Sequence, residues 1–135
     1  MNTAGLTELF SKCDAFSSLP HDELENLINQ GTQHELETGS ILLHEGKTGE
    51  GIWGLVSGKL DVTVEGKSIN QVTEPGEVVG EISAVSHTPA TATVKAATEV
   101  LALGIAHDKL HETMKKSPSL AEALIRSMTR YLGSR

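Results

Sequence analysis

The feature of this sequence that most constrains its fold is a series of short runs in which apolar and polar residues alternate, with glycine-containing turns between most of them. A two-residue period is typical of strands with one buried face, and glycine permits the positive φ that tight turns need. The runs are Gln33–Glu37, Ile41–His44, Ile52–Val56, Leu60–Glu65, Ser68–Val72, Ala92–Ala97 and Val100–Ile105. Short strands at such spacing predict a barrel or a two-sheet sandwich.

Apolar residues at helical spacing frame this β region on both sides. They predict helices over Leu6–Phe16 and Asp22–Asn29 before the strands, and over His107–Lys116 and Leu120–Leu132 after them. The last helix has a broad apolar face. Its members are Leu120, Leu124, Met128, Tyr131 and Leu132. We therefore expect one α+β domain over residues 1–135, with its core at about 6–132, and the apolar face leaves open a homodimer through the C-terminal helix.

Charge divides the chain into an acidic body and a basic end. The net charge is −7, and from Lys109 onward six Lys or Arg oppose two Asp or Glu, which gives +4 there and −11 for residues 1–108. These basic residues lie along predicted helices without interleaved aromatic residues, as in a solvated helix face, so no nucleic-acid binding is expected. Because aromatic residues make up only 3 % of the chain, we expect an aliphatic core.

Neither a secretory leader nor a membrane span is expected. The N-terminus lacks a charged-then-apolar pattern, and no apolar run approaches ~18 residues. Cys13 is the only cysteine and falls on the apolar stripe of the first predicted helix, so it is expected to be a small buried hydrophobe without a disulfide in the chain. These features predict a cytoplasmic protein without membrane contact.

Patterns that indicate an enzyme or a metal site are weak. There is no Gly-x-Ser-x-Gly elbow and no Gly-rich loop that ends in Lys-Ser/Thr. His107 and His111 are four residues apart on a predicted helix, a spacing that can place two imidazoles on one metal, but no third ligand of the right kind accompanies them. We predict a solvated helix face there, no metal and no catalytic residue, and we expect Trp53 to pack within a sheet.

Several segments together match a known family pattern over about residues 6–132. They are Leu19–Leu24, Glu37–Leu42, Glu45–Glu50, Val56–Leu60 and Pro75–Ile82, the last with Val79 where the family has phenylalanine. In these motifs the chain resembles the cyclic nucleotide-binding domain family, which includes the regulatory domains of cyclic-nucleotide-dependent kinases. The resemblance implies a double-stranded β-helix, a β-roll of the jelly-roll type, flanked by N- and C-terminal helices.

The segment 80–94 resembles the family's phosphate-binding loop, with one departure. The family has proline, arginine, alanine or threonine, and then alanine-threonine-valine, whereas this chain has Pro89-Ala90-Thr91-Ala92-Thr93-Val94. The resemblance implies that Glu81 contacts the ribose hydroxyl and that Thr91 stands where a hydroxyl favours guanine. The candidate ligand-binding positions are Gly80, Glu81, Ile82, Ser83, His87, Ala90, Thr91 and Ala92. The simpler interpretation is that Gly80 supplies a positive φ and that Glu81 lies at a helix N-terminus.

Ala90 decides the functional expectation, because it occupies the place of the arginine that pairs with the phosphate. Loss of one partner of a buried charged pair costs ~3–5 kcal/mol, on the order of a hundred- to several-thousand-fold in affinity. We therefore expect a regulatory or scaffolding module with a degenerate cyclic-nucleotide pocket, which acts through a protein partner or a fused effector domain. It would use no cofactor, with cAMP or cGMP bound weakly at most.

The alternative is a working cyclic-nucleotide sensor that holds the phosphate by a non-standard contact. Loop amides, His87 or Lys95 would then replace the arginine, and His87 is the nearest candidate because imidazole titrates near neutral pH. A transcription factor of the catabolite-activator type is the third class considered. It would need a helix-turn-helix after the last predicted helix, and the sequence stops at Arg135.

Overall fold

The computed structural model describes residues 1–13 and 15–133, with side chains described up to Ser127. Helices at both ends enclose a region of short strands, as the periodicity predicts. In chain order the elements are α1 Thr3–Phe10, α2 His21–Asn29, β1 Thr32–Leu36, β2 Ile41–Leu43, β3 Gly51–Ser57, β4 Leu60–Val64, β5 Lys67–Val72, β6 Val78–Val79, α3 Glu81–Ser86, β7 Thr93–Ala96, β8 Val100–Ala106, α4 His107–Lys116 and α5 Pro118–Gly133. None of the described helices is both long and apolar enough to cross a bilayer.

The strands form two antiparallel four-stranded sheets that roll against each other. The strand orders are β1-β8-β3-β6 and β2-β7-β4-β5, so all neighbours except the hairpin of β4 and β5 come from distant parts of the chain. Apolar side chains from both sheets meet in one core cluster, which includes Leu43 and Leu60 from one sheet and Leu55 and Ala102 from the other. The predicted β-roll between N- and C-terminal helices is therefore confirmed.

A second core cluster lies between the helices and the outer face of the first sheet. Strand β8 serves both clusters, because Leu103 and Ile105 pack with the helices while Ala102 faces the other sheet. Burial on both faces accounts for the nearly continuous apolar run in this strand. The core is aliphatic apart from Phe10 and Phe16, whose rings make an edge contact at 6.4 Å.

The first helix is shorter than predicted. It ends at Phe10, and turns follow at residues 11–13 and 15–19, with Cys13 N–H donating to the Phe10 carbonyl and Phe16 N–H donating to the Cys13 carbonyl. A helix that continued to Phe16 would have placed Phe10 and Phe16 on different faces, since six residues rotate the side chain by about 240°. Burial of both rings in one core favours the turn, and the prediction that placed Cys13 on a helix was wrong; Cys13 is half-buried against that core.

The other differences from the sequence prediction are small, and most are shifts of one or two residues at the ends of elements. Strand β6 has only two residues and was not predicted, because a run of that length has no period to detect. The predicted strand Ala92–Ala97 is shortened to Thr93–Ala96. Helix α5 begins at Pro118, and Met128, Tyr131 and Leu132, which were predicted on its apolar face, have side chains outside the described residues.

Gly54 in β3 allows α1 to approach the sheet closely. A Cβ at this position would lie 2.4 Å from Cε1 and 2.5 Å from Cζ of Phe10, so no side chain fits without moving the ring. Phe10 is itself 1 % exposed, so its ring cannot move away without displacing other core side chains. The glycine is therefore required by packing.

We predict that Gly54→Ala lowers the free energy of unfolding by about 1–3 kcal/mol, the usual cost of overpacking a core. Urea denaturation of the variant and the parent protein measures this difference. The double variant Gly54→Ala/Phe10→Leu should lose less than the sum of the two single changes, because the smaller side chain makes room. Strict additivity would contradict the proposed clash.

Candidate functional site

The turn from β6 into α3 depends on Gly80. This residue has φ +88°, the left-handed region that favours glycine, and a Cβ there would lie 3.2 Å from Cδ1 of Leu43 and 3.3 Å from the carbonyl oxygen of Gly51. Helix α3 starts directly after it, with Ala84 N–H donating to the Gly80 carbonyl at 3.0 Å. The positive φ expected for Gly80 is therefore present, and it directs the chain so that Glu81 enters the interior.

Glu81 is the most deeply buried acidic residue described. Its side chain is 1 % exposed, and its Oε2 accepts a hydrogen bond from the hydroxyl of Ser127 on α5, which is itself 3 % exposed. The bond spans 46 residues of sequence, and no local pattern around Ser127 indicates it. The carboxylate that the family resemblance assigns to the ribose is thus already used to hold the last helix against α3.

Ser83 holds two loops together. Its hydroxyl donates to the carbonyl of Thr88 at 2.6 Å and accepts from the backbone N–H of Gly49 at 2.9 Å. A serine hydroxyl has one proton to donate, and here that proton is used within the protein. Ser83 therefore fixes the loop that precedes Ala90 against the loop between β2 and β3.

Ala90 is positioned by its backbone. Its N–H donates to the Lys47 carbonyl and its carbonyl accepts from Gly46 N–H, both at 2.9 Å. The residue is 8 % exposed and packs in the core between the sheets. Position 90 is therefore held firmly whatever its side chain, and its methyl group forms part of a cavity wall.

A cavity of about 650 Å³ opens between α3, the 90–92 segment and strands β4 and β5. Most of its walls are aliphatic, with Leu43 from β2, Val62 and Val64 from β4, and Val94 from β7. Of the candidate positions, Gly80, Glu81, Ile82, Ser83, Ala90, Thr91 and Ala92 line it. Among the described residues that line this cavity there is no Lys, Arg or His, while two carboxylates, Glu77 and Glu81, are present.

His87 lies elsewhere, at the C-terminal end of α3. It has φ +55° and its ring stacks on His111 of α4, with centroids 4.7 Å apart, and meets the edge of His107 at 5.0 Å. The ring is not among the described groups that line the cavity. Lys95, the other suggested cation, is an exposed residue of β7 opposite Ile41 and Asp61 and does not line it either.

The solvated face predicted for His107 and His111 is wrong. Both residues are half-buried, His111 Nε2 lies 2.8 Å from the Ala84 carbonyl, and His107 Nδ1 lies 3.2 Å from the Glu50 carbonyl. A carbonyl oxygen only accepts, so these ring nitrogens donate. The three histidines connect α3 to α4, but they do not have the arrangement of a metal site, and no group of three or more His, Cys, Asp or Glu in residues 1–13 and 15–133 has it.

The buried contact between Ser127 and Glu81 yields a stability prediction. Ser127→Ala removes a donor to a buried carboxylate, and such a loss costs about 1–3 kcal/mol. Urea denaturation measures the change in the free energy of unfolding. Ser119→Ala, an exposed serine of the same helix, is the matched control and should change it by less than about 0.5 kcal/mol. Equal effects of the two substitutions would contradict a structural role for the contact.

Comparison with known proteins agrees with this geometry. The model of the cyclic nucleotide-binding domain matches residues 33–117. A cGMP-dependent protein kinase of Eimeria tenella is 32 % identical over 104 residues, which are 76 % of this chain and 10 % of that kinase. The chain thus spans about a tenth of the length of the curated relatives that it matches.

Solved structures share the fold at low identity. The catabolite activator protein of Thermus thermophilus superimposes with a TM-score of 0.80 at 20 % identity, over 90 % of this chain and 59 % of that one. The regulatory subunit of a cAMP-independent protein kinase A from Trypanosoma brucei gives 0.81 at 19 % identity, over 94 % and 47 %. The family match over residues 33–117 and the shared β-roll lead to one conclusion: this chain belongs to the cyclic nucleotide-binding domain family.

Proposed function

We propose that this domain is a non-enzymatic regulatory or scaffolding module whose pocket has lost useful affinity for cyclic nucleotides and which acts by binding another protein. The observation that carries the proposal is Ala90, a buried methyl group in the cavity wall at the position of the family's phosphate-binding arginine. Domains of this family are in general regulatory. A protein partner or a fused effector in the cytoplasm is the proposed target of that regulation.

The charges around the cavity support weak phosphate binding. A cyclic nucleotide carries one negative charge, and the cavity offers it two carboxylates, Glu77 and Glu81, and no cationic side chain among the described lining residues. Residues 1–108 together carry −11, which opposes any anion. The Thr91 hydroxyl and the backbone amides can each donate a hydrogen bond to a phosphate, but they carry no positive charge and lack the bidentate fork of a guanidinium. They would not compensate for a missing guanidinium.

We expect isothermal titration with cAMP or cGMP to give dissociation constants near the millimolar range, and Ala90→Arg to tighten them. The expected gain is on the order of a hundredfold or more, because a buried charged pair with the phosphate is restored. Binding by the parent protein in the low micromolar range would contradict the proposal.

The matched control is Ala92→Arg, which adds the same charge to the same cavity two residues further along. If phosphate capture needs a cation at position 90 in particular, Ala92→Arg should increase the affinity for cAMP or cGMP only slightly. If both variants gain equally, net charge and not the position of the cation governs binding. Circular dichroism of both variants establishes that they are folded.

A working sensor of cAMP or cGMP is the second candidate, and one observation favours it. The cavity is still open at about 650 Å³, with Gly80, Glu81 and Thr91 along its wall. The sensor hypothesis predicts that the parent protein binds cAMP or cGMP measurably. Glu81→Ala or Thr91→Ala should then reduce the affinity at least about tenfold. His87→Ala, outside the cavity, is the control. An unchanged signal in both wall variants would exclude a site of this kind.

A further inference from the structure

The walls of the cavity are suited to an uncharged molecule. Strands β4 and β5 contribute Val62, Val64, Ile69 and Val72, the neighbouring strand β7 contributes Val94, and β6 of the other sheet contributes Val79. Several of these side chains also belong to the core between the two sheets, so the cavity continues that core outward. Apolar walls of this kind gain free energy when they are covered by apolar surface.

The polar groups of the cavity offer little to a charged ligand. Glu81 is 1 % exposed and accepts from Ser127, and Ser83 is engaged by Gly49 and Thr88. Glu77 is half-buried, and its Oε1 lies 3.3 Å from the backbone N–H of Glu74. The polar side chains left at the rim are the exposed Thr91 and Asn70, both uncharged.

Size and access are compatible with a small organic molecule. About 650 Å³ lies within the roughly 300–1,000 Å³ that is typical of ligand pockets. Ile69 on β5 is among the residues that line the cavity and is 60 % exposed, so it lies at the mouth. Covering such a side chain with an apolar ligand would remove it from water.

From these observations we infer that the cavity binds an uncharged small molecule with a largely apolar body, in place of an anionic nucleotide. Such a molecule would place its body against the valines of β4 and β5 and any single polar group near Thr91 or Asn70. The inference rests on the proposed function, because both depend on the lack of a cationic side chain among the described residues that line this cavity.

A matched pair of fluorescent probes tests the ligand class. N-phenyl-1-naphthylamine is uncharged, and 8-anilino-1-naphthalenesulfonate is the same aromatic amine with an added sulfonate. Titration of the whole chain with each probe should give saturable binding, with the uncharged probe bound at least about tenfold more tightly. Equal affinity, tighter binding of the sulfonate, or no saturable binding of the uncharged probe would overturn the inference.

A pair of isoleucines locates the binding site. Ile69 lines the cavity and is 60 % exposed, whereas Ile41 on β2 is 45 % exposed and is not among the residues that line it. Ile69→Asp should weaken binding of the uncharged probe by at least about fivefold, while Ile41→Asp leaves it unchanged, because only the first places a charge at the mouth. Both positions are exposed, so both variants should fold. Equal losses, or no loss in either variant, would refute the assignment to this cavity.

The two proposals can fail separately. Micromolar binding of cAMP by the parent protein contradicts the proposed function. No cyclic-nucleotide binding together with no saturable binding of the uncharged probe leaves the proposed function intact and refutes the apolar-ligand inference. Ala90→Arg gives a further check, since a cation in the wall should weaken the uncharged probe while it strengthens cAMP binding.

Discussion

One buried hydrogen bond, from the Ser127 hydroxyl to the Glu81 carboxylate, connects the cavity to the last helix of the domain. A carboxylate at 1 % exposure is costly unless partners compensate for the water it has lost. The position of α5 and the turn at Gly80, which directs Glu81 inward, therefore depend on each other. A ligand hydroxyl that bonds to Glu81 would share this carboxylate with Ser127, which connects that end of the cavity to the packing of α5.

The conformation of the loop around Ala90 is held by backbone hydrogen bonds and by the Ser83 hydroxyl, and not by the side chain at position 90. Ala90 is fixed through its own N–H and carbonyl, which bond to the backbone of Lys47 and Gly46, and Ser83 ties the same loop to Gly49. None of these bonds uses the side chain at position 90. The conformation of this loop therefore does not depend on which side chain stands at position 90.

Most of the fold could be predicted from the sequence, because its strands and helices have clear periods and Gly80 has a local conformational signature. Of the candidate positions that the sequence indicated between Gly80 and Ala92, all except His87 line the cavity. What the sequence could not indicate arises from contacts between distant segments. The sequence around Ser127 does not indicate its hydrogen bond to Glu81, which is 46 residues away. His87 contacts His107 and His111 only because α3 packs on α4.

The identity of residue 90 also affects the core. The cavity wall and the core between the sheets share Leu43, Val79 and Val94, so a guanidinium at position 90 would stand against aliphatic side chains. Such a charge is well tolerated only when an anion or water compensates for it, which links the arginine of a sensor to its ligand. Alanine removes that requirement. With Ala90 the wall of the cavity is continuous with the core. An apolar molecule bound there would stabilise the folded domain, by a free energy that grows with the logarithm of the ligand concentration relative to the dissociation constant.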